Sequence, residues 1–248
     1  MLRTAWFWIV TVPATAFFSL VSIVGGLFRA PPALHDWVHR NWGRMELWAA
    51  GVDVSARGLE HVSAERPQIF VSNHQSIFDI FAILSTVPAS VRFVAKRELG
   101  RIPIFASAMR SAGHVFIDRR DRRSASRAMR AAGDRMQREN LSLGLFPEGT
   151  RSRDGTLQAF KKGTFVLAIE TQVPILPVAV DGGCGIARRG RISAGNMTVS
   201  VAHSLPTEGL TSEDRDAVLH SVRRTIEKLL EASRTTAASN GAATAGPA

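Results

Sequence analysis

The sequence predicts an α/β fold, a mixed sheet flanked by helices, preceded by an N-terminal helical hairpin. Two observations support this prediction. After residue 50, short apolar runs alternate with longer segments of helical periodicity, as in a sheet covered by helices. Before residue 50, a long uncharged run is followed by an amphipathic stretch. The 248 residues, 45% of them apolar, suffice for one α/β domain, residues 51–233, in addition to the hairpin, residues 1–50.

The first helix of the hairpin is predicted from an uncharged run at residues 5–28. At about 1.5 Å per residue, a helix of this length crosses a bilayer core of about 30 Å. We therefore interpret the run as a membrane-binding segment. A secretory signal is the alternative, because Ala14-Thr15-Ala16 resembles a cleavage site, although the apolar run continues past it.

The second helix is predicted from apolar side chains at helical spacing. They are Leu34, Trp37, Val38, Met45 and Trp48. Tryptophans in an amphipathic stretch that also carries basic residues are typical of a helix at a membrane surface. The alternative is that these tryptophans pack on the globular domain. In either case residues 1–50 are predicted to form a hairpin that anchors the domain at a membrane.

Seven strands and five helices are predicted beyond residue 50. The strands are 52–57, 68–72, 91–95, 114–117, 142–146, 175–180 and 197–202. The helices are 77–86, 99–111, 122–139, 160–170 and 212–233. The tail, residues 234–248, is small, polar and interrupted by Gly and Pro, so it is predicted to be disordered.

Positive charge is concentrated in one part of the chain. The net charge is +10, and residues 92–138 hold thirteen Lys or Arg against four acidic residues. Such a segment indicates an anionic partner, which the charge alone leaves open between membrane lipid, acidic protein, phosphorylated substrate and nucleic acid. We expect its preference for anionic surfaces to weaken as salt rises, because exposed charges are screened.

The stretch "VSNHQSIFDI" places a histidine and an acid in an unusual relation. Positions five apart on a helix point roughly 140° apart, so His74 and Asp79 can pair only if the chain turns between them. The predicted strand ends just before Asn73, and Asp79 falls in the first turn of the next helix. Ligand sites in open α/β sheets favour strand ends, where the carboxylate can orient the imidazole. The alternative is that His74 caps backbone groups and Asp79 complements the helix dipole.

The stretch "GLFPEGTRSRDG" places a second polar loop at a strand end. It contains Glu148, Gly149, Thr150 and Arg151. Backbone N–H groups and a guanidinium in such a loop suit an oxyanion or a phosphate.

Two further stretches extend this pattern. "GHVFIDRRDRR" brings Arg119 and Arg120 directly after a strand, and "VPILPVAV" is a buried strand that contains Pro174 and Pro177.

Taken together and in this order, the four stretches resemble the motifs of the glycerolipid acyltransferase superfamily, specifically its 1-acyl-sn-glycerol-3-phosphate acyltransferase (lysophosphatidic acid acyltransferase) family. The resemblance covers residues 73 to about 180. The four motifs are met at 73–79, 113–119, 146–152 and 173–178, and residues 95–105 also resemble the family's Lys-x-Glu-Leu-x-x-Ile-Pro segment.

The resemblance implies transfer of an acyl chain from an acyl thioester, of acyl carrier protein or coenzyme A, to the free sn-2 hydroxyl of 1-acyl-sn-glycerol-3-phosphate. The product is phosphatidic acid. His74 would be the general base and Asp79 would stabilise its imidazolium, while backbone N–H groups near Gly149 would hold the oxyanion. Arg119 and Arg151 would bind the acceptor phosphate. The implied substrate-binding residues are Lys96, Arg119, Glu148, Gly149, Thr150 and Arg151. No cofactor is implied beyond the thioester co-substrate, and no metal.

Other functions remain as alternatives. Within the superfamily, the alternative is an acyltransferase that acts on another lysolipid, such as lyso-ornithine lipid. An alternative of another class is a basic membrane-bound protein that binds nucleic acid or lipid without catalysis. The basic residues are not interleaved with aromatic residues that would form a surface for stacking bases, so we expect no nucleic acid partner. A serine hydrolase would need a Gly-x-Ser-x-Gly elbow, which is absent, and a metal site at His74 and Asp79 lacks further clustered ligands.

The expected location is the cell inner membrane, with the catalytic domain facing the cytoplasm. The single cysteine, Cys184, excludes an internal disulfide and is compatible with a reducing compartment. Bacterial members of the family carry a membrane-binding hairpin before the α/β domain, which agrees with the predicted anchor.

Overall fold

The computed structural model describes residues 1–118 and 120–244. Helices α1 (Leu2–Leu27) and α2 (Pro32–Ala50) form the N-terminal hairpin. Pro32 is the first residue of α2, where its missing N–H costs no hydrogen bond. Gly51 caps the end of helix α2 and adopts the left-handed conformation with φ 70°. The hairpin therefore occupies the segment that the sequence predicted.

A mixed sheet follows the hairpin. Its strands are β1 (Val52–Arg57), β2 (Ile69–Ser72), β3 (Val91–Lys96), β4 (Val115–Ile117), β5 (Ser142–Leu145), β6 (Ile175–Asp181) and β9 (Gly195–Val201). Their order is β1-β9-β6-β2-β5-β3-β4, and neighbouring strands are parallel except for the antiparallel pair β6 and β9. A separate ribbon consists of β7 (Ala187–Arg188) and β8 (Arg191–Ile192).

Helices cover both faces of the sheet. They are α3 (Phe78–Thr86), α4 (Pro103–Ala112), α5 (Arg122–Glu139), α6 (Gly163–Thr171), α7 (Gly183–Ile186) and α8 (Arg215–Thr244), with 3-10 turns at Leu59–His61 and Arg97–Arg101. The hairpin and α3 pack on one face, and α5, α6 and α8 on the other. Strand β2 shows the alternation: Phe70 enters the first core, while Ile69 and Val71 enter the second. The predicted fold class is confirmed.

Four predicted boundaries were wrong by three residues or more. The helix predicted at 99–111 is divided, because Pro103 starts α4 and holds Ile102 in an extended conformation. The helix predicted at 160–170 begins only at Gly163, and the helix predicted at 212–233 begins only at Arg215. The tail predicted to be disordered from residue 234 continues α8 to Thr244, and residues 245–248 lie outside the described residues. A helix already held by packing extends readily through residues such as alanine, because propagation costs less than nucleation.

A buried carboxylate joins the two helices of the hairpin. Glu46 of α2 accepts hydrogen bonds from the hydroxyls of Thr11 (2.6 Å) and Thr15 (3.1 Å) on α1. Trp42 donates from its indole nitrogen to the Thr15 hydroxyl at 3.0 Å. Burial raises the pKa of Glu46, and the hydroxyl bonds oppose that rise. These bonds fix how α1 lies along α2.

A buried ion pair joins the hairpin to the sheet. The Arg92 side chain of β3 is 1% exposed, and its Nη1 lies 2.7 Å from Oδ1 of Asp36 on α2. Arg92 Nε also donates to the carbonyl of Ala112 at the end of α4, and Ser90 donates to the other Asp36 oxygen. Burial lowers the pKa of Arg92, whereas the Asp36 charge raises it. The hairpin and the sheet are thus held together by an ion pair as well as by apolar packing.

Candidate active site

The turn after β2 brings His74 and Asp79 together. His74 Nδ1 lies 2.8 Å from Asp79 Oδ2, and the side chains are 15% and 0% exposed. A carboxylate only accepts hydrogen bonds, so Nδ1 carries the proton and Nε2 of the neutral ring keeps its lone pair. In the part of the chain that the structure describes, Nε2 has no hydrogen-bond partner. The predicted turn is present, and the pair has the geometry of an oriented base.

Asp79 is held by the backbone of its own loop. Its Oδ2 also accepts from the N–H groups of Gln75 (2.6 Å) and Ser76 (2.8 Å). These two N–H groups lie in the loop before α3, so Asp79 orders that turn in addition to pairing with His74. The other oxygen, Oδ1, packs against Gly183, where a Cβ atom would lie only 2.5 Å from it. No local sequence signal indicates this close approach.

The loop after β5 holds His74 on three sides. The His74 N–H donates to Glu148 Oε1 at 2.8 Å, and the His74 carbonyl accepts from the Ser152 N–H at 2.7 Å. The imidazole stacks on the ring of Phe146, with centroids 4.0 Å apart and planes inclined by 16°. Two segments more than seventy residues apart thus fix the position of one imidazole.

Glu148 has a role that the sequence did not predict. Its Oε2 accepts from the Gln158 N–H at 3.2 Å while Oε1 is used by His74, so both oxygens serve the backbone. Burial raises the pKa of Glu148, and the two N–H bonds oppose this. Glu148 is buried and is not among the residues lining the neighbouring cavity. In the structure its contacts hold the backbone of His74 in place, and its predicted part in substrate binding stays a prediction.

Asn73 fixes the end of β2 to β6. Its side-chain amide donates to the Val180 carbonyl at 2.8 Å and accepts from the Val180 N–H at 2.8 Å. This two-way contact continues the pairing of the strands beyond the last residue of β2. Sequence reasoning noted Asn73 only as a neighbour of His74, because its partner is 107 residues away.

A cavity of about 640 Å³ lies between the hairpin and the sheet. Five predicted site residues line it: His74, Lys96, Gly149, Thr150 and Arg151. Thr150, Arg151 and Lys96 are exposed and mark its opening, whereas its inner wall consists mainly of buried apolar and aromatic side chains from both the hairpin and the sheet. Arg119 lies outside the described residues, so its role stays a prediction.

Two neutral histidines lie in the inner wall. His114 Nδ1 accepts from the Phe93 N–H at 2.9 Å, so the proton is on Nε2, which donates to His39 Nε2 at 3.0 Å. Burial lowers the pKa of His114 to about 3 and that of His39 well below its usual value. Both rings are therefore uncharged near neutral pH, and this part of the wall suits an apolar ligand.

The loop at Gly149 has a conformation that favours glycine. Gly149 has φ 72°, and a Cβ atom there would lie 2.5 Å from the Lys161 amine. Its N–H donates to the Phe146 carbonyl at 3.0 Å, so this group closes the turn. No acceptor for the N–H groups of Thr150 and Arg151 is found within the described ranges. Among the donors near Gly149 that the sequence suggested for an oxyanion, these two suit the role better than Gly149 itself.

Comparison with known proteins gives one consistent result. The profile of the family described as Acyltransferase matches residues 53–181. The chain is 36% identical over 178 residues to human (Homo sapiens) 1-acyl-sn-glycerol-3-phosphate acyltransferase beta, covering 71% of this chain and 64% of that protein. It is 32% identical over 194 residues to 1-acyl-sn-glycerol-3-phosphate acyltransferase of Limnanthes douglasii, covering 77% and 68%.

A comparison with solved structures indicates the same family. The crystal structure of the 1-acyl-sn-glycerophosphate (LPA) acyltransferase PlsC from Thermotoga maritima matches with a TM-score of 0.77 and 30% identity, covering 92% of this chain and 95% of that one. The match to the human relative spans 64% of its length, which is less than two thirds.

Proposed function

The chain belongs to the acyltransferase family, and from this premise we propose that it transfers an acyl chain from an acyl thioester to the sn-2 hydroxyl of 1-acyl-sn-glycerol-3-phosphate, giving phosphatidic acid. One observation carries the proposal: His74, paired with the buried Asp79, lines a largely apolar cavity that also bears Arg151. A base beside a guanidinium fits a hydroxyl on a phosphorylated acceptor, and the apolar wall fits a hydrocarbon chain.

His74 acts first as a base and then as an acid. Nε2 takes the hydroxyl proton as the acceptor oxygen attacks the thioester carbonyl, and Asp79 stabilises the imidazolium through Nδ1. Collapse of the tetrahedral intermediate breaks the C–S bond, and the departing thiolate takes the proton from Nε2. Because the thioester is already activated, no protein nucleophile is needed.

The loop after β5 stabilises the developing charge in this proposal. The N–H groups of Thr150 and Arg151 are the candidate donors for the oxyanion, and the Arg151 guanidinium binds the acceptor phosphate. Lys96 adds positive charge at the opening, although it pairs with Glu98 at 3.2 Å. Arg119, by the resemblance of its motif, is a second candidate for the phosphate. The donor is a thioester of coenzyme A or of acyl carrier protein.

An acceptor panel tests the proposed function. Purified full-length protein in mixed micelles is supplied with a labelled acyl thioester and, in separate reactions, lysophosphatidic acid, lyso-ornithine lipid, monoacylglycerol or glycerol 3-phosphate. We expect labelled phosphatidic acid to form fastest. Preferred labelling of lyso-ornithine lipid would assign the other lysolipid activity, and no labelling of any acceptor with either donor would contradict acyl transfer.

We expect Arg151→Ala mainly to raise the acceptor KM. The phosphate is present in the substrate and in the transition state, so losing its partner weakens the binding of both by a similar amount. The value of kcat falls only if the contact also aligns the hydroxyl. The same change narrows the preference for lysophosphatidic acid over uncharged monoacylglycerol. Steady-state kinetics with both acceptors measure this. Arg153→Ala is the control, since Arg153 is exposed and absent from the cavity wall; an unchanged preference in Arg151→Ala would remove the phosphate role.

The hairpin is proposed to anchor the protein in a membrane. Helix α1 is long and apolar enough to cross a bilayer. Many of its large apolar side chains are exposed, including Trp6, Trp8, Ile9, Val12, Phe17, Leu20, Val24 and Leu27. We place the domain on the cytoplasmic face of the inner membrane, because acyl thioesters are cytoplasmic.

We therefore expect the untagged chain to fractionate with membranes and to keep its N-terminal residues. Centrifugation followed by N-terminal sequencing checks both points. Recovery mainly in the soluble fraction, or an N-terminus that begins after Ala16, would rule out the anchor.

A further inference from the structure

Exposed apolar side chains also occur outside the hairpin. In the described residues beyond the hairpin and its connecting turn, the large ones are Ile77, Leu99, Ile102, Ile104 and Val166. The first four come from two segments beside the cavity, and we call them the apolar rim. Val166 lies on α6, which packs on the opposite face of the sheet from the hairpin. The distribution is therefore one-sided, and clustered exposed apolar residues indicate an interaction surface.

The apolar rim lies at the cavity opening and beside the anchor. Ile77 and Leu99 line the same cavity as His74. Ile102 and Ile104 flank the first residue of α4, the helix that packs along α1. The next side chain, Phe105, contacts Trp42 of α2 with ring centroids 6.1 Å apart. The rim thus continues the apolar surface of the hairpin towards the catalytic histidine.

The local backbone keeps two rim side chains away from the core. The 3-10 turn Arg97–Arg101 ends at Ile102, which is extended because Pro103 follows it. Ile102 is 49% exposed and Ile104 is 59% exposed, whereas Ala106 of the same helix is fully buried. Stability of the fold gives no reason for two isoleucines at these exposed positions.

Basic side chains flank the apolar rim. Lys96, Arg97 and Arg101 are all exposed. Lys96 and Arg97 pair with Glu98 and Asp118, but such exposed pairs are weak and readily exchanged for other anions. In the described parts of the chain, Arg101 has no ion pair. Apolar side chains bordered by Lys and Arg suit the interface of a membrane with anionic headgroups.

We propose that the apolar rim is a second membrane-contact surface, which enters the same anionic leaflet as the hairpin and holds the cavity opening at headgroup depth. The benefit of this contact rests on the proposed function, because a lysolipid carries its free hydroxyl at headgroup depth and can reach His74 without leaving the leaflet. The contact itself is independent of catalysis. Ile102 and Ile104 are about half exposed, so each one that enters the hydrocarbon contributes about three- to tenfold to partitioning.

A fluorophore in the rim tests the contact directly. Ile104→Cys in a Cys184→Ser background is labelled with an environment-sensitive dye, and the full-length protein is added to vesicles of equal parts phosphatidylglycerol and phosphatidylcholine. We expect a blue shift, and quenching by lipids spin-labelled on the acyl chain. Both effects should be smaller on pure phosphatidylcholine and should weaken as salt rises. Val166→Cys, labelled in the same way, is the matched control. Equal, unshifted emission at residues 104 and 166 would overturn the proposal.

Kinetics separate this proposal from the proposed function. Ile102→Asp/Ile104→Asp should lower the rate with lysophosphatidic acid in anionic vesicles by about tenfold or more, and change it little in detergent micelles, where the acceptor is delivered without a bilayer. Val166→Asp should leave both rates unchanged. If the unaltered protein acylates no lysolipid, the proposed function fails while the fluorescence result still decides membrane contact. An equal loss of rate in vesicles and in micelles, together with unshifted emission of the label, would overturn the proposal that the apolar rim contacts the membrane.

Discussion

We expect His74→Ala to lower kcat by about 10²–10⁴-fold while changing acceptor binding little, because a general base contributes only as the hydroxyl proton leaves. In the proposed mechanism, proton transfer and phosphate binding involve different side chains, so their effects on kcat and KM should be separable. The Nε2 atom available for that proton is on a ring that lines the cavity, whereas the proposed phosphate contact is a different side chain, Arg151.

The measurement is steady-state kinetics with lysophosphatidic acid, together with a melting curve, since the substitution also removes the stacking on Phe146 and one of the hydrogen bonds to the buried Asp79 carboxylate. His74→Gln fills more of the space without supplying a base and should be similarly slow. His220→Ala is the matched control, because His220 is exposed on α8, which packs on the other face of the sheet. Near-normal turnover in a folded His74→Ala would exclude His74 as the base.

Asp36→Ala is expected to destabilise the protein by about 3–5 kcal/mol, because it leaves the buried Arg92 guanidinium without its counter-charge. For a chain of this size that corresponds to a fall of roughly 6–20 °C in Tm. Circular dichroism melts in a mild detergent measure it. The double variant Asp36→Ala/Arg92→Met should recover much of the loss, since it removes the uncompensated charge.

Glu170→Ala provides the comparison for the ion pair. Glu170 pairs with Arg130 at 3.1 Å, but both side chains are exposed, so the expected cost is about 0–1 kcal/mol. Equal melting temperatures for Asp36→Ala and Glu170→Ala would show that the hairpin does not depend on the Arg92 contact.

Features set by nearby residues were predictable from the sequence. The His74–Asp79 pair needs only a strand end, a turn and the first turn of a helix, all within one short stretch. Helix α5 has the predicted bounds because its ends carry local signals: Asp121 accepts from the N–H groups of Arg123 and Ser124, and Asn140 adopts the left-handed conformation after the last turn. The acyltransferase resemblance depended on such local motifs and was confirmed.

Features set by distant residues were not predictable in this way. The sequence does not show that both oxygens of Glu148 accept from backbone N–H groups of residues elsewhere in the chain. The Asn73–Val180 contact and the Gly183 approach to Asp79 each join residues about a hundred positions apart. The two-residue strands β7 and β8 are too short to leave a period-2 pattern.

The cavity wall is shared between the hairpin and the sheet, and this limits how such a protein can evolve. An unrelated transmembrane helix in place of α1 would still deliver the domain to a bilayer, but the pocket would lose the side that Thr15, Phe18 and Ser22 supply. If the hairpin anchors the protein and the cavity receives the substrate chain, as proposed above, substitutions on the inner side of α1 that suit a different membrane also reshape that space. Lipid environment and substrate preference would then change together through the same helix.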